Sequence, residues 1–120
     1  MLPLFSFPSE IDFLVSTTTG FVKLTDFGLT RIIREQEKES MSHQVCTRHY
    51  RPPELLFASR KYDFGVDIWG MAVIFIELIT GTTLFPGQND IDQMYKVFQI
   101  LGNPSPARWP VSALPKGLTL

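Results

Sequence analysis

Between Val66 and Ile79 apolar residues recur at almost every position: Val66, Ile68, Trp69, Met71 to Ile76, Leu78 and Ile79. At 3.6 residues per turn they cover nearly the whole circumference, so the pattern predicts a helix over Gly65 to Thr80 that is buried on all sides. Gly81 supplies a stop, because a left-handed residue there closes the last turn without a Cβ penalty. The next apolar residues, Ile91, Met94, Tyr95, Phe98 and Leu101, fall three or four apart and predict a one-sided helix. Asn89 can cap its first turn, Asp90 and Asp92 complement the positive end of the dipole, and Gly102 with Pro104 ends it. Upstream, Phe13-Leu14-Val15 and Phe21-Val22-Lys23-Leu24 flank a polar segment ending in Gly20, which predicts a β-hairpin. The stretch from Thr30 to Gln44 is polar and mixed in charge, without periodicity, and reads as a solvated loop. Prolines at 104, 106, 110 and 115 predict an irregular tail.

Composition narrows the function classes. In 120 residues, 44% are hydrophobic and 12% aromatic, the make-up of one folded segment rather than a disordered tail. A formal net charge of -1 offers no basic surplus for nucleic acid or an anionic membrane. The longest apolar stretch, Met71 to Ile76, stops at Glu77, far short of the ~20 residues of a spanning helix. No Lys or Arg precedes Lys23, so the basic start of a secretory signal is absent. The single cysteine, Cys46, forms no internal disulfide and fits a reducing compartment, cytoplasmic or nuclear. His43 and His49 have no companion ligands at metal spacing.

Three short motifs carry the chemistry. Asp26-Phe27-Gly28, Pro52-Pro53-Glu54 and Asp67-Ile68-Trp69 occur in the order and spacing of a protein kinase activation segment and the helix after it. Their agreement in register, with Thr47-Arg48-His49-Tyr50-Arg51 leading into the second, makes the chain resemble a eukaryotic protein kinase catalytic domain. Tyr50-Arg51-Pro52-Pro53-Glu54 and Leu84-Phe85-Pro86-Gly87-Gln88-Asn89-Asp90-Ile91-Asp92-Gln93 are similar to the cyclin-dependent branch. Within it, Ser59 to Asp67 and Leu101-Gly102-Asn103-Pro104 look most like the cell cycle-related kinases. The resemblance implies an α+β class: a partial kinase fold, mainly the helical carboxy-terminal lobe with a short hairpin. Residues 1–12 form a leader that does not match, and 13–120 the partial kinase domain.

What the family does implies roles for particular residues. Asp26 matches the metal-binding aspartate that holds magnesium against the ATP phosphates. Its plainer reading is a turn aspartate after a strand. Phe27 would pack under the amino-terminal lobe, and Gly28 gives the backbone freedom to change course. Ser42 stands where the branch has its activating phosphorylation site, and Arg31 matches an arginine that pairs with that phosphate; the alternative for Ser42 is an ordinary loop serine. Thr47 and Arg51 match the floor beneath the residue that follows the phosphoacceptor. In this group the arginine engages a loop carbonyl, here expected at Cys46, that would otherwise accept the substrate's next N–H. Proline has no N–H to strand, so Ser-Pro or Thr-Pro protein substrates are implied, with a cyclin-like activator as a further partner. Glu54, Asp67 and Trp69 match architectural positions: Glu54 pairs with a later arginine, and Asp67 binds the catalytic-loop backbone. His49 departs from the family, which has tryptophan there.

The stretch before Phe13 should hold the catalytic loop, and it does not. Counting back without gaps, Asp12 falls at the metal-binding asparagine, Ser9 at the helper lysine, and Phe5, Ser6 and Phe7 at the three catalytic-loop positions. Asp12 can still ligate a cation through a hard carboxylate oxygen. Phe7 cannot accept a proton, so no catalytic residue is assigned. Glycine-rich loop and strand lysine are absent as well, so productive binding of Mg-ATP by these 120 residues is not expected. Three readings stay open: a kinase segment by descent, a catalytically dead interaction module presenting the activation segment and the helix carrying Met94 and Phe98, and a truncated product without stable function.

Overall fold

The computed structural model describes residues 5–6, 12–16, 18–32 and 45–105. Four short strands come first: β1 (Phe5–Ser6), β2 (Asp12–Val15), β3 (Val22–Thr25) and β4 (Arg31–Ile32). A single 3-10 turn (Arg48–Tyr50) leads into α1 (Pro53–Leu56), α2 (Gly65–Thr80) and α3 (Asp90–Leu101).

The predicted hairpin forms. β2 and β3 pair antiparallel with Asp12 opposite Thr25 and Val15 opposite Val22. Gly20, at φ 72, makes the turn, donating its N–H to the Ser16 carbonyl at 2.8 Å while Ser16 N–H reaches the Phe21 carbonyl at 2.9 Å. The expectation of an unstructured loop from Thr30 is corrected at its start, because β4 pairs antiparallel with β1, Phe5 opposite Ile32 and Ser6 opposite Arg31. A two-residue ladder satisfies backbone groups whatever the side chains, so polarity hid it. Residues 33–44 lie outside the described part.

The proline pair opens α1, which periodicity did not predict. Pro53 sits at the first helical position, where its missing N–H is no loss and its fixed φ suits the helix. α2 runs over the predicted span. Asp63 accepts the Gly65 N–H at 2.8 Å before it, and Gly81, at φ 69, closes it with an N–H to Glu77 O bond of 2.7 Å. Its burial departs from expectation: Val66, Asp67, Gly70 and Val73 are buried, whereas Ile68, Met71, Phe75, Leu78 and Ile79 are all more than half exposed. An all-round apolar helix needs neighbours on every side, and among the described residues they cover one side only. The open face, with Val22 of the hairpin, lines an apolar groove of about 400 Å³.

α3 is capped as expected, with Asn89 Oδ1 accepting the Asp92 N–H at 2.9 Å and Gly102 N–H closing on Phe98 O at 2.9 Å. The stripe read from hydrophobicity is not the buried one. Ile91 is 78% exposed, and Tyr95 and Leu101 are also outside, while Gln93 and Val97 are fully covered. Two clusters form the core: Val45, Cys46, Leu55 and Val66 with Tyr62, and Val73, Phe85 and Val97 with Tyr50, Trp69, Leu84 and Phe98. Trp69 stacks on Phe85, ring centroids 6.0 Å apart. Phe98 thus serves packing, and the interaction-module reading loses one of its two anchors.

Candidate functional site

Arg51 organises the described part of the site. The loop before it closes through the 3-10 turn, which brings the side chain back over residues 45 and 46. There the guanidinium acts as a fork: Nε donates to the Val45 carbonyl at 3.1 Å and Nη2 to the Cys46 carbonyl at 3.0 Å. Cys46 adopts φ 70, a left-handed conformation uncommon outside glycine, which turns its peptide groups out of the extended path. Its side chain is buried in the first core cluster. Thr47 beside it is exposed, next to carbonyls that the Arg51 fork already occupies.

A second layer holds this loop to α3. Asp90, in the first turn of that helix, accepts at Oδ1 from Arg51 Nη1 at 3.1 Å and from Arg48 Nε at 3.2 Å. Arg48 Nη1 also donates to the Gln88 carbonyl at 2.8 Å. Deeper in, the fully buried Gln93 accepts the Gly87 N–H at 2.9 Å and donates through Nε2 to the His49 carbonyl at 3.2 Å. Gly87 is required there, because a Cβ would collide with the Gln93 backbone. The His49 position therefore ties to α3 through its main chain, whatever ring it carries. Tyr50 lies against the second cluster; burial first, then the Glu77 carboxylate, push its phenol above the ordinary value.

Asp26 directly follows β3. It is left-handed, φ 57, and its Oδ1 accepts the Gly28 N–H at 3.1 Å, closing a tight turn. The ladder places Asp12 opposite Thr25, the residue before Asp26, so two carboxylate-bearing positions share one end of the hairpin. Such hard oxygen donors suit magnesium. Among the described residues no group of three or more candidate ligands gathers. Phe27 is 56% exposed. Arg31 lies in β4, and Ser42, with the pairing expected of it, lies outside the described residues.

Glu54, Asp67 and Trp69, expected at architectural positions, lie in α1 and α2. Asp67 is buried in the first turn of α2, and the Trp69 indole N–H has no hydrogen-bond partner among the described residues. Glu54, half-buried in α1, has its carboxyl pushed up by burial first and by the Asp63 charge, against a lowering from its own backbone N–H. Among the described residues no Lys or Arg forms a salt bridge with it.

Comparison with known proteins settles the family. Residues 11–114 match the protein kinase domain. The chain belongs to the protein kinase domain family. Within that family it is 48% identical over 103 residues to cyclin-dependent kinase 20 of Danio rerio, covering 85% of this chain and 30% of that protein. It is 50% identical over 97 residues to cyclin-dependent kinase 7 of Caenorhabditis elegans, covering 81% and 29%. A crystal structure of the yeast RNA Pol II CTD kinase CTDK-1 complex matches with a TM-score of 0.80 and 33% identity, over 88% of this chain and 34% of that one. These relatives place the kinase domain in the cyclin-dependent branch, and the chain spans about three-tenths of their length. The helical carboxy-terminal lobe portion with its hairpin is the part of the kinase fold present.

Sequence reasoning named Arg51, Cys46 and Thr47 together but missed Arg48 and Gln93 and saw Asp90 only as a helix-end charge. Arg51 and Asp90 lie 39 residues apart, and no local pattern joins them. The available signal for Gln93 was slight: Val97, four residues on, is its apolar neighbour on the same face.

Proposed function

We propose that this chain supplies the substrate-docking floor and a metal anchor of a proline-directed serine/threonine kinase of the cyclin-dependent type, and that its 120 residues do not transfer phosphate unaided. The observation that carries the first half is the Arg51 fork on the carbonyls of Val45 and Cys46. A peptide whose residue after the phosphoacceptor bears an N–H finds these acceptors taken, and proline loses nothing there because it has no N–H. The substrates are proteins with Ser-Pro or Thr-Pro sites, and a cyclin-like activator acts on the longer parent.

Protein kinases use Mg-ATP, the metal neutralising the charge of the phosphates during transfer. In this chain Asp26, with Asp12 across the hairpin, would hold the metal. Phe7 at the position of the proton-accepting carboxylate argues against turnover, since an aromatic ring neither accepts a proton nor orients a hydroxyl. Ser42 is the activating phosphorylation site in this reading, with Arg31 as its partner.

Two measurements test it. The chain with Mg-ATP and a Ser-Pro peptide is expected to give no transfer above a protein-free blank; turnover abolished by Asp26→Ala overturns the inactive half. Backbone amide shifts of residues 45–51, followed while titrating Ser-Pro and Ser-Ala peptides, are expected to saturate with roughly tenfold weaker affinity for Ser-Ala, the size of one unmade hydrogen bond. Equal response to both peptides removes the docking floor.

A further inference from the structure

We propose that Asp90 is a positioning residue for the docking loop: from the first turn of α3 it aims the Arg51 fork, and through it holds the Cys46 carbonyl out of a substrate's reach. The inference rests on the docking-floor reading and adds the residue that enforces it. The Arg51 side chain is largely covered, at 14% exposed, yet two of its three nitrogens face only neutral carbonyls. A guanidinium in that setting needs a counter-charge, and among the described residues Asp90 supplies it. The contact also fixes orientation. With Nη1 bound to Asp90, the planar group has one way to lie that brings Nε and Nη2 onto consecutive carbonyls. Arg48 shares the same Oδ1 and reaches Gln88 O, so the carboxylate is pinned from a second side.

A plainer role for Asp90 is to complement the positive end of the helix. Asp92 separates the two roles. It lies in the same first turn, but its Oδ2 accepts the Gln88 N–H at 2.9 Å, and the salt bridges of Arg48 and Arg51 among the described residues go to Asp90 instead. Helix-end stabilisation would be lost from either residue; the hold on Cys46 would be lost only from Asp90.

Cys46, the sole cysteine and buried, reports on the loop directly, because a thiol reagent reaches it only when the loop opens. Labelling of the full chain with a thiol reagent under native conditions is expected to quicken about tenfold in Asp90→Ala, with a smaller gain in Asp90→Asn, which keeps an acceptor oxygen but no charge. Asp92→Asn is expected to leave Cys46 labelling as in the wild type while loosening α3 amide protection. Asp90→Glu, with its carboxylate on a longer arm, is expected to recover part of the protection. Unchanged labelling in Asp90→Ala, with α2 amide protection intact, overturns the proposal. Equal acceleration in Asp92→Asn does the same, by reducing Asp90 to a helix-end charge. Loss of the docking floor itself would show separately, in a wild-type chain that responds alike to both peptides while Asp90→Ala still exposes Cys46.

Discussion

Replacing Gln93 by methionine keeps the shape of a fully buried side chain and removes both of its hydrogen bonds. Gly87 N–H then loses its 2.9 Å acceptor and keeps the 3.0 Å contact with Phe85 O, and the His49 carbonyl loses the 3.2 Å donor. Leaving a buried partner unmatched costs about 1–3 kcal/mol, at the lower end where a second contact or water can substitute. Both partners here fall at that end, which gives about 2 kcal/mol in total. With a urea slope of roughly 1.5 kcal/mol per molar, the unfolding midpoint should fall by about 1.3 M, read by far-UV circular dichroism. Glutamate discriminates further: its carboxylate still accepts from Gly87 but sets a charge against the His49 carbonyl. Gln93→Glu should therefore be worse than methionine at pH 7 and improve as the pH drops and the acid gains a proton to donate. A methionine variant whose midpoint stays within about 0.2 M of wild type would refute the reasoning, as would a glutamate variant indifferent to pH.

Three further outcomes follow from the same geometry. Glu54 is held above its ordinary 4.5 by burial, so the folded chain binds that proton more tightly than the unfolded one, and stability falls as pH rises from 4.5 through the raised value. Glu54→Gln should raise the melting temperature at pH 7 by about a degree, since solvent screens a half-buried group, and change nothing at pH 3. Ala58 is left-handed at φ 57 and exposed just after α1, so Ala58→Gly should stabilise by about 0.5 kcal/mol in denaturant melts; a loss would contradict the strain. Val97→Ala should cost about 2 kcal/mol and Ile91→Ala less than about 0.5 kcal/mol, the reverse of what the apolar stripe suggests, as their denaturation midpoints will tell.

The sequence by itself determined the local elements: α2 and α3 with their stops, because Gly81 and Gly102 take conformations other residues resist, and the hairpin around Gly20. Its motifs in register were enough to recognise the protein kinase domain, since three markers at matching spacing are far more specific than any one of them. Tertiary structure decided which sides of the helices face inward, because burial depends on what stands opposite: Gln93 is covered and Ile91 is not, for all their hydropathy. It also decided that Asp90 meets Arg48 and Arg51 across some forty residues, a pairing created only when the loop folds back onto α3. Short-range preference is written in neighbouring residues, whereas a shared carboxylate belongs to the fold.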